Sequence, residues 1–170
     1  MFQIGEIVIY GTSGACRINA VEKRELGDCV QECYVLKPVY DNSLTIRVPR
    51  NNEMLMAKMH PVITKDEVMD LIHEMPETEN CYDADMNARK LFYSDTLKSG
   101  DHHSLLKMIK SIYCYKKERM ANGKRLSGFD ENAMREAENM LYTEFALALD
   151  IQPNQVVSFI QNEVSTELQA

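Results

Sequence analysis

The sequence predicts an α+β chain in which a small β-barrel precedes an all-helical domain. Three observations lead there. Through residue 63, apolar and polar residues alternate at period 2 in short runs. From residue 64 onward apolar residues recur at helical spacing, as in Met134, Ala137, Leu141, Phe145 and Ala148. The early runs are separated by turn-forming residues, the later ones by helix caps and stops. The change of period places a boundary at residue 64, giving units of 1–63 and 64–170.

The β half starts with a strand over residues 6–10. Gly11-Thr12-Ser13-Gly14 turns the chain, since glycine admits positive φ. A second strand follows from 15 to 21, and Glu25-Leu26-Gly27-Asp28 reads as a hairpin turn. The third strand covers 32–37 and ends at Pro38. Tyr40 to Ser43 turn into Leu44-Thr45-Ile46-Arg47-Val48-Pro49, on which the rest is organised. Here Leu44, Ile46 and Val48 are expected to face a core, with Thr45 and Arg47 on the other face. Pro49 lacks an N–H, which suits an edge strand or a strand end. A short closing strand is expected over 60–63. Five short strands of this kind suit a barrel of the Tudor or SH3-like sort.

Thr64 with Glu67 forms a capping box for a helix over about 65–73. A polar linker spans 76–80, and a second helix is expected from Tyr82 to Lys98, stopped at Ser99-Gly100. Asp101 caps a third helix reaching Met120, with Leu105, Ile109 and Ile112 on one face. Asn122-Gly123 ends it, Ser127 with Asp130 opens a fourth, and Pro153 sits in the first turn of a last helix to about Val164.

The 170 residues carry a net charge of −7 that is unevenly spread. Residues 1–60 hold seven Lys/Arg against seven Asp/Glu, and 61–170 hold twelve against nineteen. An acidic half argues against general nucleic-acid affinity, which rests on phosphate neutralisation. Five irregularly spaced cysteines contain no CxxC pair, so reduced thiols in the cytoplasm are expected. No apolar run is long enough for a membrane span, and residues 1–10 do not read as a signal peptide.

No GxSxG, P-loop or GxGxxG occurs, and neither an enzyme activity nor a cofactor is expected. His102-His103 are adjacent on a helix and so point about 100° apart, which disfavours a shared metal ion. Cys29 and Cys33 have no histidine companion. The basic feature is Lys107, Lys110, Lys116, Lys117, Arg119, Lys124 and Arg125, interrupted only by Glu118. Lys107, Lys110 and Lys117 fall within about 80° on the helical wheel, a strip that reads either as a solvated face or as phosphate contacts. Tyr82, at the expected helix start, reads as staple packing or as a wedge against a partner.

Three stretches, Gly5-Glu6-Ile7-Val8-Ile9-Tyr10, Tyr34-Val35-Leu36-Lys37-Pro38 and Leu44-Thr45-Ile46-Arg47-Val48-Pro49, resemble the CarD family of bacterial transcription regulators. Leu97-Lys98-Ser99-Gly100-Asp101 at a helix junction agrees with it. The resemblance implies a Tudor-like domain that docks edge-on to a strand of the RNA polymerase β subunit, a module shared with the transcription-repair coupling factor. It assigns Arg47 to polymerase contact, with Arg24, Thr45 and Pro49 beside it. It also implies a helical domain at promoter DNA, where family members insert a tryptophan at the upstream edge of the bubble. This chain has no tryptophan; Tyr82 or Met86 takes that place, with Arg89, Lys107, Lys110, Lys117, Lys124 and Arg125 as DNA contacts. The expected function is modulation of promoter open complexes. The alternative is an adapter whose acidic helical domain binds another protein. An open strand edge can also pair with a second copy of the chain.

Overall fold

The computed structural model describes residues 1–26 and 29–167. The expected turn at Gly27-Asp28 and the side chain of Cys29 lie outside the described residues. The chain divides into two compact units, Met1–Val62 and Ile63–Ala170.

The first unit contains β1 (Ile7–Tyr10), β2 (Ala15–Leu26), β3 (Cys29–Pro38), β4 (Ile46–Pro49), a short helix α1 (Glu53–Met56) and β5 (Met59–Pro61). All neighbouring strands are antiparallel, in the order β4-β3-β2-β1-β5. The sheet is not closed, and its five antiparallel strands agree with the Tudor-like unit expected. Pro49 and Pro61, each without an N–H, are the last residues of the two edge strands. β2 and β3 run past the lengths expected from sequence, with a register shift between Ile18 and Ala20. Val8, Cys16, Ile18, Tyr34, Leu36, Val48 and Met59 form the core, with Ile46 packed against it. Burial raises the Cys16 thiol to about 11, so it behaves as a small core residue. Leu44 departs from expectation: it precedes β4 and is 53% exposed, because Asp41 accepts from both the N–H and the hydroxyl of Ser43 and holds a turn there.

The second unit contains α2 (Lys65–Glu74), α3 (Met86–Ser99), α4 (His102–Ala121), α5 (Gly128–Leu149) and α6 (Val156–Glu167). The Thr64 capping box forms. Leu71, Ile72, Leu105, Met108, Ile112, Leu141 and Phe145 are among the buried residues of its core. Gly100 ends α3 in the left-handed region, φ 65°. The second expected helix starts later than the sequence suggests, at Met86 and not at Tyr82. Asn80, Asp83 and Asp85 each accept the backbone N–H two residues ahead, at 3.1, 2.8 and 3.0 Å. These local bonds compete with the helical ones, and only the Asp85 bond serves as a helix cap.

Candidate functional site

Among the described strands β4 pairs only with β3, through Ile46↔Leu36, Arg47↔Val35, Val48↔Tyr34 and Pro49↔Cys33. The Arg50 N–H donates to the Glu32 carbonyl at 2.9 Å. Antiparallel pairing alternates, so Val48 and Ile46 turn their backbone groups toward β3. Arg47 and Pro49 turn theirs to the open edge. The missing N–H of Pro49 therefore falls on the side where no ladder bond is lost, and Arg47 presents both N–H and C=O. Thr45 continues this edge as an exposed residue outside the strand. The Arg47 side chain leaves the face opposite Val48 and is 42% exposed, with its Nε 3.2 Å from Glu22 Oε2 on β2. Arg24 is exposed two residues further along β2, opposite Gln31. Period 2 places it on the same face as Glu22.

In the helical unit the expected DNA residues separate into two groups. Arg89, Tyr82 and Lys110 are held by the fold. Arg89 is 7% exposed. Its Nε donates to Asp130 Oδ1 at 3.2 Å, and its Nη1 donates to the carbonyls of Asp83 and Ala84 at 2.8 and 3.0 Å. Asp130 also accepts from the Tyr93 and Ser127 hydroxyls at 2.8 and 2.6 Å. Tyr82 stacks on Tyr115 with centroids 3.7 Å apart, and the Arg89 guanidinium lies 4.9 Å from the Tyr82 centroid. Burial, then the hydrogen bond with Tyr115, push the Tyr82 phenol upward. The Lys110 ammonium donates to the carbonyls of Met75, Pro76 and Thr78 at 2.9, 2.9 and 2.6 Å. These three are internal supports, and of the wheel's strip of Lys107, Lys110 and Lys117 it is Lys110 that the fold withdraws.

Met86, Lys107, Lys117, Lys124 and Arg125 make up the second group. Met86 opens α3 and is 46% exposed. Lys107 lies 3.7 Å from Glu79, a solvent-facing pair of small energetic weight. The Lys117 ammonium sits 4.9 Å from the Tyr113 centroid. Lys124 and Arg125 are exposed in the loop between α4 and α5, where Arg119 donates to the Arg125 carbonyl from Nε and Nη2 at 3.1 and 3.0 Å.

The adjacent histidines take different carboxylates: His102 Nε2 lies 2.8 Å from Glu144, and His103 Nδ1 lies 3.2 Å from Glu74. Among the described residues no group of three or more His, Cys, Asp or Glu is placed to hold a metal ion. No helix among them is long and apolar enough to cross a membrane.

Sequence reading missed Glu22 and Asp130 as partners of the site arginines. The Ser127-x-x-Asp130 spacing signals a cap, but nothing in it signals Arg89.

Residues 2–63 match the CarD-like/TRCF RID domain, and residues 67–161 match the CarD C-terminal domain. The chain is also 24% identical over 159 residues to a Bacillus subtilis (strain 168) protein described as "Putative transcription factor YdeB", covering 94% of this chain and 99% of that one. With the two domains matched in order along an open-edged sheet and a helical unit, the chain belongs to the CarD family.

Proposed function

We propose that the chain is a transcription regulator that binds the RNA polymerase β subunit through β4 and acts on promoter open complexes through its helical unit. The observation that carries this is the open edge itself. Its outward backbone groups belong to Arg47 and Pro49, and Thr45, Arg47 and Arg24 stand exposed around it. A strand added there gains main-chain hydrogen bonds, and Arg47 supplies a charged fork for an acceptor on the partner. The family membership and the similarity to the Bacillus protein both support a role in transcription.

For DNA, Met86 is the better-placed apolar wedge, because Tyr82 is committed to its stack with Tyr115. Lys107, Lys117, Lys124 and Arg125 are the cations available to phosphates. Tethering through β4 holds them at high effective concentration near the promoter. A contact of about 1.4 kcal/mol then shifts a closed–open equilibrium tenfold.

The test is a pull-down of the isolated polymerase β-subunit lobe by the chain and by its Arg47→Glu variant. Capture by the first and not by the second supports the reading; no capture by either overturns it. The adapter reading keeps one observation in its favour. A groove of about 640 Å³ between α4, α5 and α6 is lined by Ile109, Tyr113, Met134, Tyr142, Val157 and Ile160, among others. If the chain, tethered to polymerase, shows no salt-dependent affinity for forked promoter DNA, the adapter takes over.

A further inference from the structure

We infer that Glu22 is a positioning residue for the β4 edge, one that sets the Arg47 guanidinium in the orientation a partner strand meets. This rests on the polymerase-binding reading above and names a residue that reading does not use. Arg47 is a long side chain on an edge strand, and without a restraint it samples many rotamers. Glu22 reaches it from β2, across β3, with Oε2 at 3.2 Å from Nε. The register explains the reach: Glu22 pairs with Cys33, Cys33 pairs with Pro49, and Arg47 lies two residues from Pro49 on the same face.

The choice of nitrogen decides between holding and blocking. The carboxylate occupies Nε, on the flank of the guanidinium. Neither Nη1 nor Nη2 has a hydrogen-bond partner among the described residues. The end-on pair of donors, which takes a carboxylate in bidentate fashion, is thus left to the partner. Both side chains remain near 42–43% exposed, so the pair adds little to folding and its removal leaves the sheet intact. A restraint already present in the free chain removes part of the ordering cost from the binding step. The partner acceptor implied is a carboxylate on a strand, met end-on by Arg47 and laterally offset from Glu22.

The test is a double-mutant cycle on the affinity of the full chain for the isolated polymerase β-subunit lobe, with Glu22→Ala, Arg47→Ala and the double variant. The expected result is that Glu22→Ala weakens binding about three- to tenfold in the wild-type background, the ordering of one long side chain. It has no effect in the Arg47→Ala background. Glu22→Gln, whose amide oxygen still accepts from Nε, restores most of the affinity. A Glu22→Ala variant that binds as well as or better than wild type overturns the inference while leaving the polymerase reading intact. So does a loss of the same size with and without Arg47. An Arg47→Ala variant that binds normally overturns both.

Discussion

Asp130 gathers three donors onto one carboxylate that is 1% exposed: Arg89 Nε, the Tyr93 hydroxyl and the Ser127 hydroxyl. Burial first, then the bond to Asp130, push the Tyr93 phenol upward. Removing the carboxylate leaves the Arg89 charge buried without its partner. Asp130→Ala is expected to destabilise the helical unit by about 3–5 kcal/mol, read from urea unfolding followed by helical circular dichroism. A second, half-buried pair gives a pH dependence. The hydrogen bond to Glu144 raises His102 above its ordinary value of 6.5, against the opposing effect of burial; the charges of Glu144, Asp101 and Glu67 add to the rise. A raised folded-state value means that protonation favours the fold. The stabilisation is complete below about pH 6.5 and is lost as pH rises through the higher folded value. The melting-temperature difference between wild type and His102→Gln should be largest near pH ~6 and fade toward pH ~9. A difference that grows with pH rejects this assignment.

At the scale of elements, Lys110 shows how far a helical wheel reaches. The wheel correctly turns it away from Leu105 and Ile112, but periodicity gives an azimuth and not what packs over it. Residues 75–78 bring three carbonyls onto the ammonium, where α2 gives way to a short 3-10 turn. A cation at such a helix end satisfies orphan carbonyls and complements the dipole. Lys110→Met is therefore expected to lower stability by about 1.5–3 kcal/mol, the range for charge-assisted bonds, with no change in the salt dependence of DNA binding. Lys124→Ala should do the reverse: unchanged unfolding, and a salt slope smaller by about one. Measuring both properties on both variants separates a structural lysine from a phosphate contact. The delayed start of α3 belongs to this scale too. Tyr82 carries no helix-breaking feature, but Asn80, Asp83 and Asp85 supply side-chain acceptors that outbid the first turn.

At the scale of the whole molecule, each compact unit has its own buried cluster. Two self-sufficient cores predict two independently folding fragments. Residues 1–62 and 63–170, expressed separately, should each unfold cooperatively. Leu36→Ala should weaken only the first and Leu141→Ala only the second, each by about 2–5 kcal/mol. Both leucines are fully buried in their own unit's cluster.

The α+β class, the switch of period near residue 64, the Thr64 capping box and the edge character of the strand holding Arg47 were all legible in the sequence. Those signals are local. Alternation, caps and the missing N–H of proline act between residues at most four apart. Tertiary structure alone decided which candidate cations stay free. Arg89 is withdrawn by Asp130, 41 residues away, and Lys110 by carbonyls more than 30 residues back. It also decided that Tyr82 stacks on Tyr115, that Leu44 stays outside the core, and that Glu22 meets Arg47 from two strands over. A charge is neutralised by whatever the fold carries within a few ångströms of it, and no spacing along the chain encodes that distance.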